Sequence, residues 1–249
     1  MMMHTACVTG ADRGLGFALS EQLLQQGWQV IAGRYLPDWP DLDALRDKYS
    51  DRLHIVTLDV SSESSVKQAA QMAASLVKSV DMLVNNAGVT SRSMRATIRE
   101  PQDYSEMHRL FDTNALGALR MVEAFLPLLD NGRMKRLCFV SSEAGSIGRA
   151  RRESWFGYTM SKAALNMAVK TLFNHLRPDG YTFRLYHPGW MRTYMGGTKN
   201  ETADMEPEQA AGYALAYFLG DLDKDPANPQ ENPEDHLVMR DYQGNPWPW

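Results

Sequence analysis

Cysteine is scarce in this chain, with Cys7 and Cys138 the only two in 249 residues. Both fall in apolar runs that read as strands, so buried reduced thiols are expected rather than a disulfide or a metal pair. Net charge is also small. The 26 Lys and Arg against 30 Asp and Glu leave −4, which gives no general attraction to nucleic acid or anionic membrane and confines any anion binding to local sites. No apolar run approaches the roughly 20 residues that span a bilayer, and the start, MMMHTACVTG, lacks the charged and apolar regions of a secretory signal. Internal repeats and low-complexity blocks are missing too. These absences predict a cytoplasmic protein with no membrane or nucleic-acid partner.

What is present is an alternation of short apolar runs with longer amphipathic ones. Strands are expected at His4–Thr9, Gln29–Arg34, Leu53–Leu58, Asp81–Asn85, Arg136–Ser141, Tyr181–His187 and His236–Arg240. Helices are expected at Leu15–Gln26, Asp41–Tyr49, Glu63–Lys78, Gln102–Leu129, Tyr158–Leu176 and Pro207–Gly220. Strands rich in Val, Ile and Leu, separated by helices, predict a doubly wound α/β fold. Its seven-stranded, mainly parallel sheet would be covered on both faces and joined by right-handed crossovers. Composition does not shift until Asp221. From there to Asp235 the chain is rich in Pro, Asp and Asn and reads as a loop, followed by the last strand and a turn at Gln243–Gly244. The terminal Pro-Trp-Pro-Trp is apolar enough to dock on the body.

Between the first strand and first helix stands Thr9-Gly10-Ala11-Asp12-Arg13-Gly14-Leu15-Gly16. Glycines here let backbone approach a pyrophosphate, and the helix start supplies oriented N–H groups. In this setting the loop predicts a dinucleotide, although a glycine trio alone also suits an ordinary turn. The second strand ends in Gly33-Arg34, where a carboxylate would hold the 2′-hydroxyl of NAD. Arg34 and Arg13 together predict NADP(H) in preference to NAD(H). Asp59, before Val60, could meet the adenine amino group or belong to a helix cap. Asn85-Asn86-Ala87-Gly88 could line the nucleotide crevice or form a simple turn.

Tyr158 and Lys162 are four residues apart on a helix and share a face. A phenol is a poor base near neutrality, but a neighbouring ammonium favours its ionised form and brings it within range of acid/base work. Ser141 and Ser142 end the fifth strand, at the edge where ligands bind. Asn114 lies on the apolar stripe of its helix, where an amide either satisfies core groups or marks a site.

In this order the motifs resemble the short-chain dehydrogenases/reductases over essentially the whole chain. They are Gly10-x3-Gly14-x-Gly16, Asp59, Asn85–Gly88, Asn114, Ser142, Tyr158-x3-Lys162 and Pro188-Gly189. The stretch His187–Thr193, with Met195-Gly196-Gly197 after it, resembles the carbonyl-reductase-like branch that includes C-factor-type proteins. The resemblance implies a single-domain Rossmann-type fold over residues 1–249. It implies hydride exchange with a small carbonyl or alcohol substrate. Tyr158 would be acid/base, Ser142 would steady the substrate oxygen, Lys162 would lower the phenol's pKa and hold the nicotinamide ribose, and Asn114 would position a water. Cofactor contacts would come from Thr9, Gly10, Arg13, Gly14, Leu15, Gly16, Arg34, Asp59, Val60, Asn86, Ala87, Gly88, Tyr158, Lys162, Pro188, Gly189, Met191 and Thr193, the last near the carboxamide.

Ser142 precedes Tyr158 by sixteen residues, a longer spacing than is usual in that family. The extra residues fall in Arg149–Trp155, which leaves Ser141 and Ser146 as alternatives to Ser142. Segment 190–205 is expected to form a mobile substrate loop, and a homodimer or homotetramer is expected through the helices at Gln102–Leu129 and Tyr158–Leu176. An NADP(H)-binding sensor or signalling protein with little turnover is the competing reading.

Overall fold

The computed structural model describes residues 3–92, 94–220, 222 and 230–249. Its strands are β1 (Thr5–Val8), β2 (Gln29–Arg34), β3 (Leu53–Thr57), β4 (Met82–Asn85), β5 (Arg136–Val140), β6 (Thr182–His187), β7 (Met239–Asp241) and β8 (Pro246–Trp247). Its α-helices are α1 (Gly14–Gln25), α2 (Asp41–Lys48), α3 (Glu63–Leu76), α4 (Tyr104–Phe111), α5 (Gly117–Asp130), α6 (Phe156–Leu176) and α7 (Pro207–Leu219). The sheet order is β3-β2-β1-β4-β5-β6-β7-β8. Pairing is parallel from β3 through β7, and β8 alone runs antiparallel, Met239 opposite Trp247. The chain leaves β1 toward β2 on one side and later reaches β4 on the other, so a crevice opens beyond the carboxyl ends of β1 and β4.

Alternation along the strands feeds two apolar layers. Cys7, Leu83, Leu137 and Phe139 face α3, α5 and α6, whereas Val8, Val84, Cys138 and Tyr186 face α1 and α7. Cys7 and Cys138 are thus buried as separate thiols, one in each layer, and burial pushes both up to about 12.

The architecture has one more strand than the sequence pattern predicted. β8 is two residues long and contains a proline, so no period-2 signal could announce it. The last strand of the pattern begins later than expected, at Met239, because Pro233–Asp235 forms a 3₁₀ turn whose Glu234 receives Arg184. The helix expected over Gln102–Leu129 starts at Tyr104 and is interrupted by a π-helical turn at Asp112–Leu116. The loop expected over Asp221–Asp235 lies largely outside the described residues. Arg184, wholly buried, donates to both carboxylate oxygens of Glu234 and to the carbonyls of Tyr217 and Gly220. Arg136 adds a bond to Phe218, so two guanidiniums satisfy the carbonyl end of α7.

The terminal tryptophans lie on the body. Trp247 packs near the His187 ring with the Arg149 guanidinium over its own, and the Ser146 hydroxyl donates to the Pro248 carbonyl. Among the described residues, no helix is long and apolar enough to cross a membrane.

Candidate active site

The crevice at the β1–β4 switch is a cleft of about 1480 Å³. Its floor is knitted from the ends of those two strands. Thr9 Oγ1 accepts from the amides of Asn86 and Ala87 at 3.0 and 2.9 Å, and Asn86 Nδ2 returns bonds to the carbonyls of Thr9 and Gly10. Gly10 has φ +62° and sits where a Cβ would be 3.0 Å from Ala87 Cα. A Cβ on Gly16 would lie 2.1 Å from the Gly10 carbonyl oxygen. The bare backbone these glycines create, opening onto the start of α1 with Leu15 in the wall, fits a pyrophosphate held on N–H groups.

Arg13 faces this cleft. Its guanidinium lies 4.8 Å from the Trp39 ring centre and 5.4 Å from that of Tyr194, and it donates to the Tyr194 carbonyl at 3.2 Å. Arg34 is placed differently, paired with Asp43 of α2 at 2.9 Å. Asp59 lines the cleft with Val60, while its carboxylate accepts from the Ser61 amide and hydroxyl at 2.9 and 2.6 Å. Ser62 caps α3. Asp59 therefore orders the approach to that helix while remaining in the cleft wall.

At the other end stand Ser142, Tyr158 and Lys162. Ser142 Oγ accepts from the Ala144 amide at 3.1 Å, which fixes the hydroxyl beside the phenol. Burial pushes the Tyr158 phenol up to about 12; the Ser142 hydroxyl and the Arg152 guanidinium oppose that rise, and the Glu143 carboxylate adds to it. Lys162 Nζ donates to the Val140 carbonyl at 3.0 Å and lies 5.9 Å from the centre of the Tyr158 ring. Its burial brings the ammonium down to about 8. Asn114 sits in the π turn, accepts from the Val89 amide at 2.8 Å, and donates to the Val89 carbonyl and Ser161 Oγ. A Cβ on Gly88 would be 3.3 Å from Asn114 Oδ1 and 3.6 Å from Lys162 Nζ, so these three share one corner.

The sequence of residues 4–204 matches the family model described as short chain dehydrogenase. The chain belongs to the short-chain dehydrogenase family. This dehydrogenase is 38% identical over 170 residues to the C-signal of Myxococcus xanthus, covering 68% of this chain and 93% of that protein. It is 34% identical over 212 residues to 1-hydroxy-2-glutathionyl-2-methyl-3-butene dehydrogenase of Rhodococcus sp. (strain AD45), covering 84% and 88% of the two chains. Among solved structures, the NADPH-bound carbonyl reductase from chicken fatty liver superposes with a TM-score of 0.82 at 26% identity. A short-chain dehydrogenase/reductase of Burkholderia multivorans, solved with NADP, gives 0.83 at 28%, and both cover all of each chain. The dehydrogenase is thus an oxidoreductase with carbonyl reductases among its structural neighbours.

Within this family member the segment after β6 folds over the glycine loop. Pro188, Gly189 and Met191 line the cleft, Met191 bridges to Met205, and a Cβ on Gly14 would meet Thr193 Cγ2 at 3.3 Å. Sequence patterns did not single out Asp12, Trp39, Tyr194 or Trp155. Asp12 accepts from the amides of Tyr35 and Leu36 and so ties the glycine loop to the end of β2. Its position inside the glycine motif was the available signal. Trp39 and Tyr194 come from separate loops, and nothing local announces their meeting.

Proposed function

We propose that this oxidoreductase is NADP(H)-dependent and interconverts a small carbonyl compound and its alcohol in the cytoplasm, with Tyr158 as acid/base. The observation that carries this is the burial of Tyr158 and Lys162 in one wall of the cleft whose other end is the glycine loop. The nicotinamide, when bound, supplies or accepts the hydride. The residues do the rest. In reduction the protonated Tyr158 gives its proton to the oxygen of the developing alkoxide, and Ser142 Oγ hydrogen-bonds the same oxygen. Lys162 would hold the ribose of a bound cofactor and support reprotonation of the phenol, and Asn114, which fixes the backbone at Val89, would help position a water linking Lys162 to solvent.

Arg13 supports a preference for NADP(H), because a guanidinium facing the cleft would meet a 2′-phosphate. Arg34, fastened to Asp43, contributes by long-range charge unless that pair opens. Thr9, Gly10, Gly14, Leu15, Gly16, Asp59, Val60, Asn86, Ala87, Gly88, Pro188, Gly189, Met191 and Thr193 complete the proposed cofactor site. Segment 190–205 acts as its mobile cover. Exposed Leu116, Leu119, Met160 and Met167 on the α5 and α6 side support a homo-oligomer.

The test is a panel of aldehydes, ketones and quinones with NADPH and with NADH, followed by NADPH absorbance. Turnover that favours NADPH is expected. Binding of NADPH with no turnover across the panel would favour a sensor, the class that the similarity to a protein named C-signal keeps in view.

A further inference from the structure

Trp155 breaks three local rules at once. It is the N-cap of α6, yet it carries no capping oxygen. It holds φ +68°, ψ +32°, a left-handed conformation that a bulky side chain rarely adopts. Its indole Nε1–H is buried without a partner among the described residues. Each departure disfavours the observed arrangement, and all three coincide at one residue. What that residue touches is the phenol of Tyr158. The two rings are 4.4 Å apart between centres and 15° from parallel. The Arg152 guanidinium lies 5.3 Å from the centre of the same indole, and Arg152 is itself held by a two-pronged pair with Glu143.

Strain that persists at such a place points to a use for it. We propose that Trp155 is a positioning residue that fixes the Tyr158 phenol for proton transfer by stacking on its ring, with Arg152 and Glu143 holding the indole in place. This rests on Tyr158 being the acid/base.

The physical need is plain from the surroundings. Tyr158 projects from the third residue of α6 into a large cleft. Lys162 Nζ approaches its ring no closer than 5.9 Å from the centre and is engaged with Val140, so it does not pin the phenol. Without the indole, rotation about the Tyr158 side-chain bonds would carry the hydroxyl away from Ser142. The left-handed turn is what brings the indole back over the first turn of the helix. Its segment is anchored on the far side, where Ser154 bridges to Thr97 and its hydroxyl donates to the Met94 carbonyl at 3.0 Å. The longer spacing between Ser142 and Tyr158 thus ends in a residue that acts on the phenol.

Four variants test this, using NADPH and 4-nitrobenzaldehyde, or the fastest carbonyl of the panel. Trp155→Gly accepts the backbone conformation and removes the ring. It should keep its Tm and bind NADPH within about twofold of the parent in a calorimeter, while kcat falls roughly tenfold to a hundredfold, the scale of a misplaced reacting group. Trp155→Leu, apolar but without an aromatic face, should lose kcat comparably. Trp155→Phe, which keeps a stacking ring, should restore most of it. Equal kcat in the Phe and Leu variants, or a folded Gly variant with parental kcat, would overturn the proposal. The fourth variant, Tyr158→Phe, separates the two claims. If it retains turnover, the reading of Tyr158 fails; if it is inactive while Trp155→Gly is not, only the stacking role fails.

Discussion

Ser141 and Ser142 are consecutive, yet their hydroxyls serve different parts of the molecule. Ser141 Oγ donates to Asn166 Oδ1 of α6 at 2.6 Å in the buried interior, while Ser142 Oγ caps a 3₁₀ turn beside the Tyr158 phenol. Ser146, the other alternative, spends its hydroxyl on the Pro248 carbonyl. The two adjacent serines should therefore separate stability from turnover. Ser142→Ala should lower kcat by about 10²-fold, the usual effect of losing one donor to a reacting oxygen, with little change in Tm. Ser141→Ala should leave kcat nearly unchanged but destabilise by about 1–3 kcal/mol, because Asn166 Oδ1 is left buried and unpaired. Steady-state kinetics and urea melts on both variants check this.

Cofactor choice should depend more on Arg13 than on Arg34. Of these two, Arg13 lines the cleft, between Trp39 and Tyr194, whereas Arg34 is committed to Asp43. Arg13→Ala should raise the NADPH Kd by about tenfold or more, as expected for a charge-assisted bond, and leave that for NADH nearly unchanged. Arg34→Ala should have the smaller effect, and Arg34→Asp should narrow the preference. Calorimetric titrations of both cofactors decide the order.

Lys162 should be a liability for stability. Burial lowers its folded-state value to about 8 from 10.5. Below pH 8 both folded and unfolded chains carry the charge, so the burial penalty is fully present. Between about 8 and 10.5 the unfolded chain binds the extra proton, and stability rises with pH. Lys162→Met should therefore stabilise the cofactor-free protein at pH 7 by up to about 3 kcal/mol, less what the lost bond to Val140 costs. The gain should shrink toward pH 10, and the variant should be inactive. Thermal melts across this range give the comparison.

Glu234 should matter far from the cleft. Its carboxylate faces wholly buried Arg184. Glu234→Ala should destabilise by about 3–5 kcal/mol, the scale of an abandoned buried charge, with kcat of the remaining folded enzyme unchanged.

Much of this was legible in the chain. Most strand and helix positions agree within a few residues because the core strands are short apolar runs between amphipathic segments, and the glycine loop, Tyr158 and Lys162 are set by local spacing. What escaped has no local signature. Asn114 reads as one position in a continuous helix, and only the packing reveals the π turn that turns its amide onto Val89. Arg34 reads as a cation free for a cofactor, and the sequence does not announce that Asp43 pairs with it. Trp155 adopts a conformation opposed to its own propensity, so no sequence rule could place its ring on Tyr158.

Turnover depends on one phenol. Tyr158→Phe, measured for NADPH binding by calorimetry and for single-turnover reduction of the fastest panel carbonyl, tests it most directly. Affinity within about twofold of the parent and a rate lower by about 10²–10⁴-fold, the range for general acid catalysis, are predicted. A rate close to the parent's would mean that the Tyr158 hydroxyl does not transfer the proton.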